Sequence, residues 1–370
     1  MAGSGIKNSE LLDLLATTLP DLPDNEFEVA WDYRDYEVCN RWFKSDKIEV
    51  DGGVTIDRRI MLDDSGTARY VRLYEPSTPN VVDVQKKISV PWCQLETSWS
   101  IERREILRNR SSAKGFIKML QVRRVDSMVS LANLLEEKAW ATPNDASDDS
   151  NPLGLPYWIC LGPDGTNEDG SFNGQTVRYG DGSTGTVRAG LDSSTYEKWR
   201  NWTAQYTAVN RTLIKRMRKA FRSVRFKSPV VVKDMTEGPS SNFRIYMPLD
   251  VAVEFEEIAH GQNDNLGGEI AAFGGATTFR RVPLIDIPQL DTFTVTDGGG
   301  NSFSPEPIFM VNHGQFYPIV QEDDWLVESD PETDRTLHNV FTTFVDGSHQ
   351  FMSSNLRTCG AVLHRAIPAS

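Results

Sequence analysis

The sequence predicts an α+β fold, with a long helix and long antiparallel strands held in separate stretches of the chain. Three observations carry this. Between Ser111 and Trp140, the residues Phe116, Met119, Leu120, Val125, Met128, Leu131, Leu135 and Ala139 recur at steps of three and four, with one longer step after Leu120. That spacing puts them along one side of a helix. Between Lys47 and Tyr74, apolar and charged residues alternate on both sides of Asp63-Asp64-Ser65-Gly66, the pattern of a long two-stranded hairpin. From Trp325 to Arg365 the chain returns to strand-like sequence.

Composition bounds the rest. The chain has 370 residues, 39% of them hydrophobic, enough for two or three domains or one large domain with insertions. A net charge of −13 argues against a protein that coats nucleic acid and suits a surface that must not adhere to a polyanion. Cys39, Cys93, Cys160 and Cys359 lie far apart with no CxxC pair and read as reduced thiols in a cytosolic setting. No run has the length of a membrane span. The polar, acidic start is not a signal peptide, so the expectation is a protein made and used in the cytoplasm.

Taken in order, residues 1–30 hold a short amphipathic piece, Leu11 to Ala16, and an acidic segment with Pro20 and Pro23. This is too short and polar to fold alone, and reads as a frayed terminus or an arm that orders against a neighbour. Tyr33, Tyr36, Trp42 and Phe43 mark an anchored stretch. The ribbon follows, with Ile48, Val50, Val54, Ile56, Ile60 and Leu62 on one limb and Ala68, Tyr70, Val71, Leu73 and Tyr74 on the other. An isolated ribbon is marginal in water, so it needs the protein body or another subunit to lie on. Val81 to Val90 alternates as a strand, and Gln94 to Asn109 reads as a short helical or turn segment. Ser111 or Ser112 caps the long helix and Pro143 stops it. At 1.5 Å per residue the helix would be about 45 Å long, without the sustained heptad of a coiled coil. Its apolar side is expected to pack on strands from Val81–Val90 and Leu337–Val345, with Lys118, Gln121, Arg123, Arg124, Asp126, Glu136, Glu137 and Lys138 on the remaining surface.

Beyond Pro143, an acidic loop leads to Asn151–Ile159, where two prolines and a glycine exclude helix. Gly162 to Gly190 reads as a long loop or a set of short hairpins. Thr195 to Phe226 is expected to be a second helix, from the spacing of Trp199, Trp202, Tyr206, Val209, Leu213, Met217, Ala220 and Val224. Arg211, Lys215, Arg218, Arg222 and Arg225 form a basic stripe beside them. Val230–Lys233 and Phe243–Met247 read as strands, and Pro248 opens a helix to about Ala259. A glycine-rich loop spans Gly261–Gly275. Thr278–Ile287, Phe293–Thr296, Ile308–Val311, Leu337–Val345 and the region of Phe351 are strand-like, and Cys359–His364 is a last apolar piece.

Motifs of chemistry are missing. His260, His313, His338, His349 and His364 make no HExxH and no zinc spacing with a cysteine. Asp164–Gly170 departs from a calcium loop, with no closing glutamate. The glycine pairs carry no GK[ST] or GxGxxG, and there is no GxSxG. Asp63-Asp64 and Glu322-Asp323-Asp324 lie in turn-like sequence. The basic stripe has two readings, a phosphate contact or a solvated face that pairs with acidic surface of this chain or of a copy of it; the net charge favours the second. No catalytic residue, cofactor or metal site is predicted.

The order of these pieces is informative: a polar arm, a charged ribbon, a strand, a long helix, a region with glycine-rich loops, and returning strands. It resembles the major capsid proteins of tailed bacteriophages, the Hong Kong 97-type fold. The local pieces most like that family are Arg104 to Trp140, Phe243-Arg244-Ile245-Tyr246-Met247-Pro248 before a helix, and Thr278 to Ile285. The resemblance implies an N-terminal arm (1–44), an extended loop (45–80), a peripheral domain with the spine helix (81–145 and 325–370) and an axial domain (146–324). It implies a shell of hexamers and pentamers that encloses DNA without sequence-specific binding or a membrane. A separate scaffolding protein, or assembly without one, is implied, since only about forty residues precede the ribbon; a portal and a cement or decoration protein are further partners that the resemblance implies. Subunit-interface candidates are Arg58, Arg59, Asp63, Asp64, Arg69, Arg72, Arg211, Arg218 and Arg222. The alternatives are an encapsulin-type nanocompartment shell in the same fold and, from another class, a cytosolic α/β enzyme.

Overall fold

Trp42 gives the chain its centre. It lies on α1 (Val38–Asp46), a wide-turned helical segment that buries Val38, Trp42 and Phe43. The structure, a computed structural model, describes residues 36–74, 83–109, 113–163, 169–225, 242–261, 270–273, 276–280, 282–296, 302–333 and 339–366. The predicted arm before residue 36, the helix cap at 111–112 and the strand at 230–233 lie outside these residues.

After α1 come β1 (Ile48–Val50), β2 (Thr55–Met61), β3 (Gln85–Pro91) and β4 (Cys93–Glu102). Next are α2 (Arg103–Asn109), the long α3 (Ala113–Ala139) and the one-turn α4 (Leu155–Trp158). Short pieces follow: β5 (Ser171–Gly174), the pair β6 (Val177–Arg178) and β7 (Thr184–Gly185), and the pair β8 (Val187–Arg188) and β9 (Leu191–Asp192). The chain then forms β10 (Asn201–Tyr206), α5 (Arg211–Val224), β11 (Phe243–Met247) and α6 (Leu249–Gly261). It continues with β12 (Ile270–Phe273), β13 (Ala276–Phe279), β14 (Val282–Asp286), α7 (Pro288–Asp291), β15 (Val295–Thr296) and β16 (Ser302–Phe303). It ends with β17 (Ile308–Asn312), β18 (Phe316–Glu328), β19 (Glu332–Thr333), β20 (Val340–Ser353), α8 (Leu356–Cys359) and β21 (Gly360–Arg365).

Two sheets organise these elements. The larger has eight strands in the order β12-β13-β14-β11-β17-β21-β10-β5. The smaller runs β1-β18-β20-β19, with β4 also on β20. Alternation along the middle strands of the larger sheet sends side chains both ways. Ile245, Met247, Ile308, Met310, Ala361 and Leu363 join a core under α5 and α6. Tyr246, Phe309, Val311 and Val362 face a second core, shared with α1, α3, β18 and β20. Trp42 stands in that second core, with ring centroids 5.0 Å from Trp140, 5.3 Å from Phe316 and 5.8 Å from Phe351. Its indole N–H donates to the Tyr246 hydroxyl at 3.0 Å. One side chain thus ties α3 and both sheets together.

Several expectations need correction. The ribbon's partner strands are β2 and β3, with Ile56 opposite Val90 and Arg58 opposite Ile88; Ala68–Tyr74 forms no strand. The Asp63–Gly66 turn signal is local, whereas the pairing follows burial: Ile56, Ile88 and Val90 reach the core, and Tyr70, Val71, Leu73 and Tyr74 stay exposed. Residues 93–102 are a strand, and their inward Cys93, Leu95, Trp99 and Ile101 show the period of two that the helical reading of 94–109 overlooks. The expected helix 195–226 divides into β10 and α5. All six β10 residues are buried, and a strand covered on both faces loses its alternation. Asn210 starts the helix instead, accepting from the N–H groups of Thr212 and Leu213 at 2.9 and 3.2 Å. A turn of helix also forms at 155–158, because Pro156 sits in the first turn, where its missing N–H costs nothing.

The long helix covers 113–139 as expected, but its main partners are β4 and α1, with β4 lying between it and β20. Gln121, Ser127 and Glu136 are buried on it beside Leu120, Leu131, Leu135 and Ala139, while Val125 and Met128 are half-buried. The last strand, β21, pairs with β10 and β17 inside the larger sheet, so 325–370 does not stay with one sheet. β18, which the sequence reading did not mark before Trp325, begins at Phe316, and Glu322-Asp323-Asp324 forms an irregularity in its pairing rather than a free turn.

A buried arginine fastens the short hairpins. Arg188 is wholly buried and donates to the carbonyls of Trp158, Gly174 and Trp199 at 2.9, 2.9 and 2.7 Å, to Asn201 Oδ1 at 3.2 Å and to Ser193 Oγ at 3.1 Å. Lysine has three donors and no planar fork. Arg188→Lys therefore leaves at least one buried acceptor unpaired, at about 1–3 kcal/mol each. Trp42→Ala is expected to cost about 3–5 kcal/mol. Urea unfolding checks both, with Val122→Ala on the exposed side of α3 as the neutral reference.

Candidate assembly surfaces and a buried charge cluster

The polar groups nearest the centre form a closed cluster. Glu37 precedes α1, Asp46 ends it, Arg244 and Tyr246 are on β11, and His313 follows β17. Arg244 Nη1 lies 3.0 Å from Asp46 Oδ2 and 3.5 Å from Glu37 Oε1. Arg41 adds a contact to Glu37 at 3.1 Å, and Asn242 donates to Asp46 at 2.6 Å. The single proton of the Tyr246 hydroxyl goes to Glu37 Oε1 at 3.0 Å, and its oxygen accepts from Trp42 and, with Nε2 protonated, from His313 at 2.8 Å. Burial raises the pKa of Tyr246 well above its ordinary value, and burial with the neighbouring Arg244 lowers that of His313 well below. Hydroxyl and ring therefore both stay neutral. Glu136 reaches in from α3. Its Oε2 accepts from the Val38 N–H at 3.0 Å and its Oε1 from the Trp140 indole at 3.4 Å. These hydrogen bonds and ion pairs join α1, α3 and the larger sheet.

Nothing in the sequence marked Glu37, Glu136 or Arg244 as a cluster. The available signal was weak: Glu136 lies next to Leu135 and one turn before Trp140, within the side of the helix that is buried. Of the histidines read as ordinary polar residues, His313, His349 and His364 are buried, and the side chains of His260 and His338 lie outside the described residues. Among the described residues no group of His, Cys, Asp and Glu has the arrangement to hold a metal ion. The four cysteines are unpaired, and burial pushes the Cys39 and Cys359 thiols up to about 12.

The predicted interface residues fall in two places. Arg59, Asp63, Asp64, Arg69 and Arg72 are exposed on the ribbon and its outer segment, with Asp63 3.1 Å from Lys198 Nζ. Arg58, half-buried on β2, donates to the Tyr317 hydroxyl of its own chain. Around the same segment Val54, Tyr70, Leu73 and Tyr74 are 95%, 104%, 84% and 96% exposed. Arg211, Arg218 and Arg222 lie far along the chain, on the outer side of α5. There Lys215, Arg216, Arg218, Lys219, Arg222 and Arg280 line an open groove of about 800 Å³.

With this geometry in view, comparison with known proteins places the fold. No family model matches the sequence, and no curated protein matches it. Among solved structures, the chain is similar to the capsid asymmetric unit of cyanophage A-1(L), at 12% identity and a TM-score of 0.57, over 99% of this chain and 95% of that one. It is similar to the capsid of Myoviridae phage XM1 at 10% identity and a TM-score of 0.50, over 98% and 99%. A structure from Mycobacterium phage Bobi matches with the same identity, score and coverage. The chain has the tailed-phage major capsid protein fold, a mixed helix and strand architecture.

The cluster carries a pH signature. Burial pushes the Glu136 carboxyl up to about 7 from 4.5, against the pull of the Trp140 and backbone N–H donors, and nearby Glu37 adds to the rise. Between these values the folded chain holds a proton that the unfolded chain releases. The contribution to stability is therefore complete below about pH 4.5 and is lost as pH rises through about 7. Relative to wild type, Glu136→Gln is expected to gain stability across that window and level off above it, as read by urea unfolding at a series of pH values. A gap independent of pH would refute this assignment.

Proposed function

We propose that this chain is the structural major capsid protein of a tailed phage, self-assembling into the icosahedral shell around a double-stranded DNA genome. The observation that carries the reading is the outer segment of the ribbon. Tyr70, Leu73 and Tyr74 are almost fully exposed beside a body whose own cores are filled. Exposed apolar side chains grouped in this way mark an interaction site. Full burial of Leu73 alone is worth about 1.5–3 kcal/mol, and a shell repeats such a contact in every copy. The fold supports the same reading.

In this proposal the ribbon is the extended loop that lies on a neighbouring subunit. The body around α3, β4, β18 and β20 is the peripheral unit. The larger sheet with α5 and α6 is the axial unit, and it includes β21. The residues before 45 form the arm. Arg58, Arg59, Asp63, Asp64, Arg69 and Arg72 belong to the ribbon's contact, and Arg211, Arg218 and Arg222 to a second contact. The partners are further copies of the chain in hexamers and pentamers, a separate scaffolding protein, a portal and a cement protein. The shell resides in the virion and assembles in the host cytoplasm, and its acidic character keeps DNA from adhering to its wall.

Negative-stain microscopy of the expressed protein tests this. Uniform icosahedral particles or curved sheets are expected from wild type, and monomers or dimers alone under all assembly conditions would sink the shell reading. The triple substitution Tyr70→Ser, Leu73→Ser, Tyr74→Ser is expected to abolish particles while unfolding stability stays within about 0.5 kcal/mol, as for exposed sites without special contacts. Normal particles from that variant would refute the ribbon's role.

A further inference from the structure

Two helices on one face of the larger sheet carry opposite charge. α5 holds Arg211, Lys215, Arg216, Arg218, Lys219 and Arg222 and no acidic residue. α6 holds Asp250, Glu254, Glu256 and Glu257 and no lysine or arginine. Both bury their apolar sides in the same core, through Leu213, Met217 and Phe221 on one and Val251 and Phe255 on the other. α5 lies chiefly on β10 and β21, and α6 on β14, β13 and β12. Their remaining sides face solvent. Arg211, Lys215, Arg218, Arg222 and Arg225 follow one another at steps of four and three, all exposed, so they form a continuous cationic stripe. On α6 the exposed Asp250, Glu256 and Glu257 surround Leu249 and Val253, which are 50% and 46% exposed. An apolar strip within a charged rim is the make-up of a protein contact surface, and the aliphatic stems beneath the cations of α5 offer apolar cover of matching kind.

We infer that the α5 face of one copy receives the α6 face of the next, so that these two helices form the head-to-tail contact between axial units within a capsomer. This rests on the shell reading. Two different surfaces of one subunit that complement each other generate a ring when the rotation closes, and opposite charges fix the register and speed the encounter. The groove lined by Lys215, Arg218 and Arg222 is where the acidic rim seats. A second copy fits this groove better than nucleic acid does. The same layer displays the acidic helix, and the chain's net charge of −13 opposes a polyanion at long range.

A charge exchange tests it. Lys215→Glu, Arg218→Glu, Arg222→Glu in one variant, and Asp250→Lys, Glu256→Lys, Glu257→Lys in another, should each lower capsomer association about a hundredfold, through like-charge repulsion. Sedimentation velocity and negative-stain microscopy read this. Thermal unfolding and circular dichroism, expected to be unchanged for these exposed positions, separate it from misfolding. Mixing the two variants should restore the contact between unlike copies, and a chain carrying all six substitutions should assemble with itself. Raising salt from physiological to 1 M should slow wild-type assembly, since screening shortens to about 3 Å.

Wild-type levels of particles from both single-face variants would overturn the interface and leave the shell reading standing. No particles from wild type would overturn the shell reading itself. Failure of the six-fold exchange to restore assembly, with both single-face variants inactive and wild type assembling, would likewise overturn the interface. Finally, particles that form normally from the α5 variant while its binding to a short DNA duplex is lost, in fluorescence anisotropy, would reassign the groove to nucleic acid.

Discussion

Burying Trp42 is the constraint on which the rest of this structure depends. A tryptophan can be wholly buried only if its indole N–H finds an acceptor, and here that acceptor is the Tyr246 hydroxyl on the larger sheet. The ring itself must be surrounded, and the surrounding side chains come from α3, β18 and β20. Satisfying one side chain thus requires α3 with the Trp140 that follows it and both sheets to be in place at once. The charged groups beside it follow from the same demand. Tyr246 donates a hydrogen bond to Glu37, Glu37 is held by Arg41 and Arg244, and Arg244 is held by Asp46. Because Tyr246, Glu37, Asp46 and Arg244 sit largely out of water, each is costly unless its partner is present.

The interior and the periphery obey different rules. Inside, Arg188 is held by carbonyls and neutral side-chain acceptors, and Glu136 by the Val38 N–H and the Trp140 indole. Outside, the ribbon's outer segment holds tyrosines and leucine in water, and α5 and α6 concentrate opposite charges on separate helices of one layer. A molecule that lived as a monomer would gain from mixing those charges and covering those side chains. A subunit that meets copies of itself has a physical reason to keep them apart, because self-repulsion within each stripe is relieved only when the complementary stripe arrives.

Much of this was legible from residue order. The long helix over 113–139, the strand at 243–247 and the helix after Pro248 stand where the pattern put them, and short hairpins, one of the two readings of 162–190, form at 177–192, since each carries its own period or its own turn residues. The two-sided strand β10 was illegible because burial on both faces erases alternation. The ribbon's pairing was misread because a good turn at Asp63–Gly66 says where the chain bends but not which later strand offers an apolar partner. On α3, Gln121 and Glu136 look like surface residues by type, and the Val38 N–H of α1 together with the Trp140 indole makes the burial of Glu136 tolerable.

The basic stripe of α5 was readable in the sequence, spacing and sign included. The acidic counterpart on α6 was equally present in the letters, but that both lie on one face of one sheet was not. The sequence by itself determined the local matters: the helices at 113–139 and after Pro248, where charge accumulates, and that the chain carries no familiar catalytic or metal-binding motif. The tertiary structure alone decided which strands pair, that β21 enters the larger sheet between β10 and β17, and that Trp42, Glu37 and Glu136 meet. The reason is physical. Periodicity and turn chemistry act over a few residues, whereas burial of a polar or aromatic side chain is settled by partners hundreds of residues away, as in the bond from Trp42 to Tyr246.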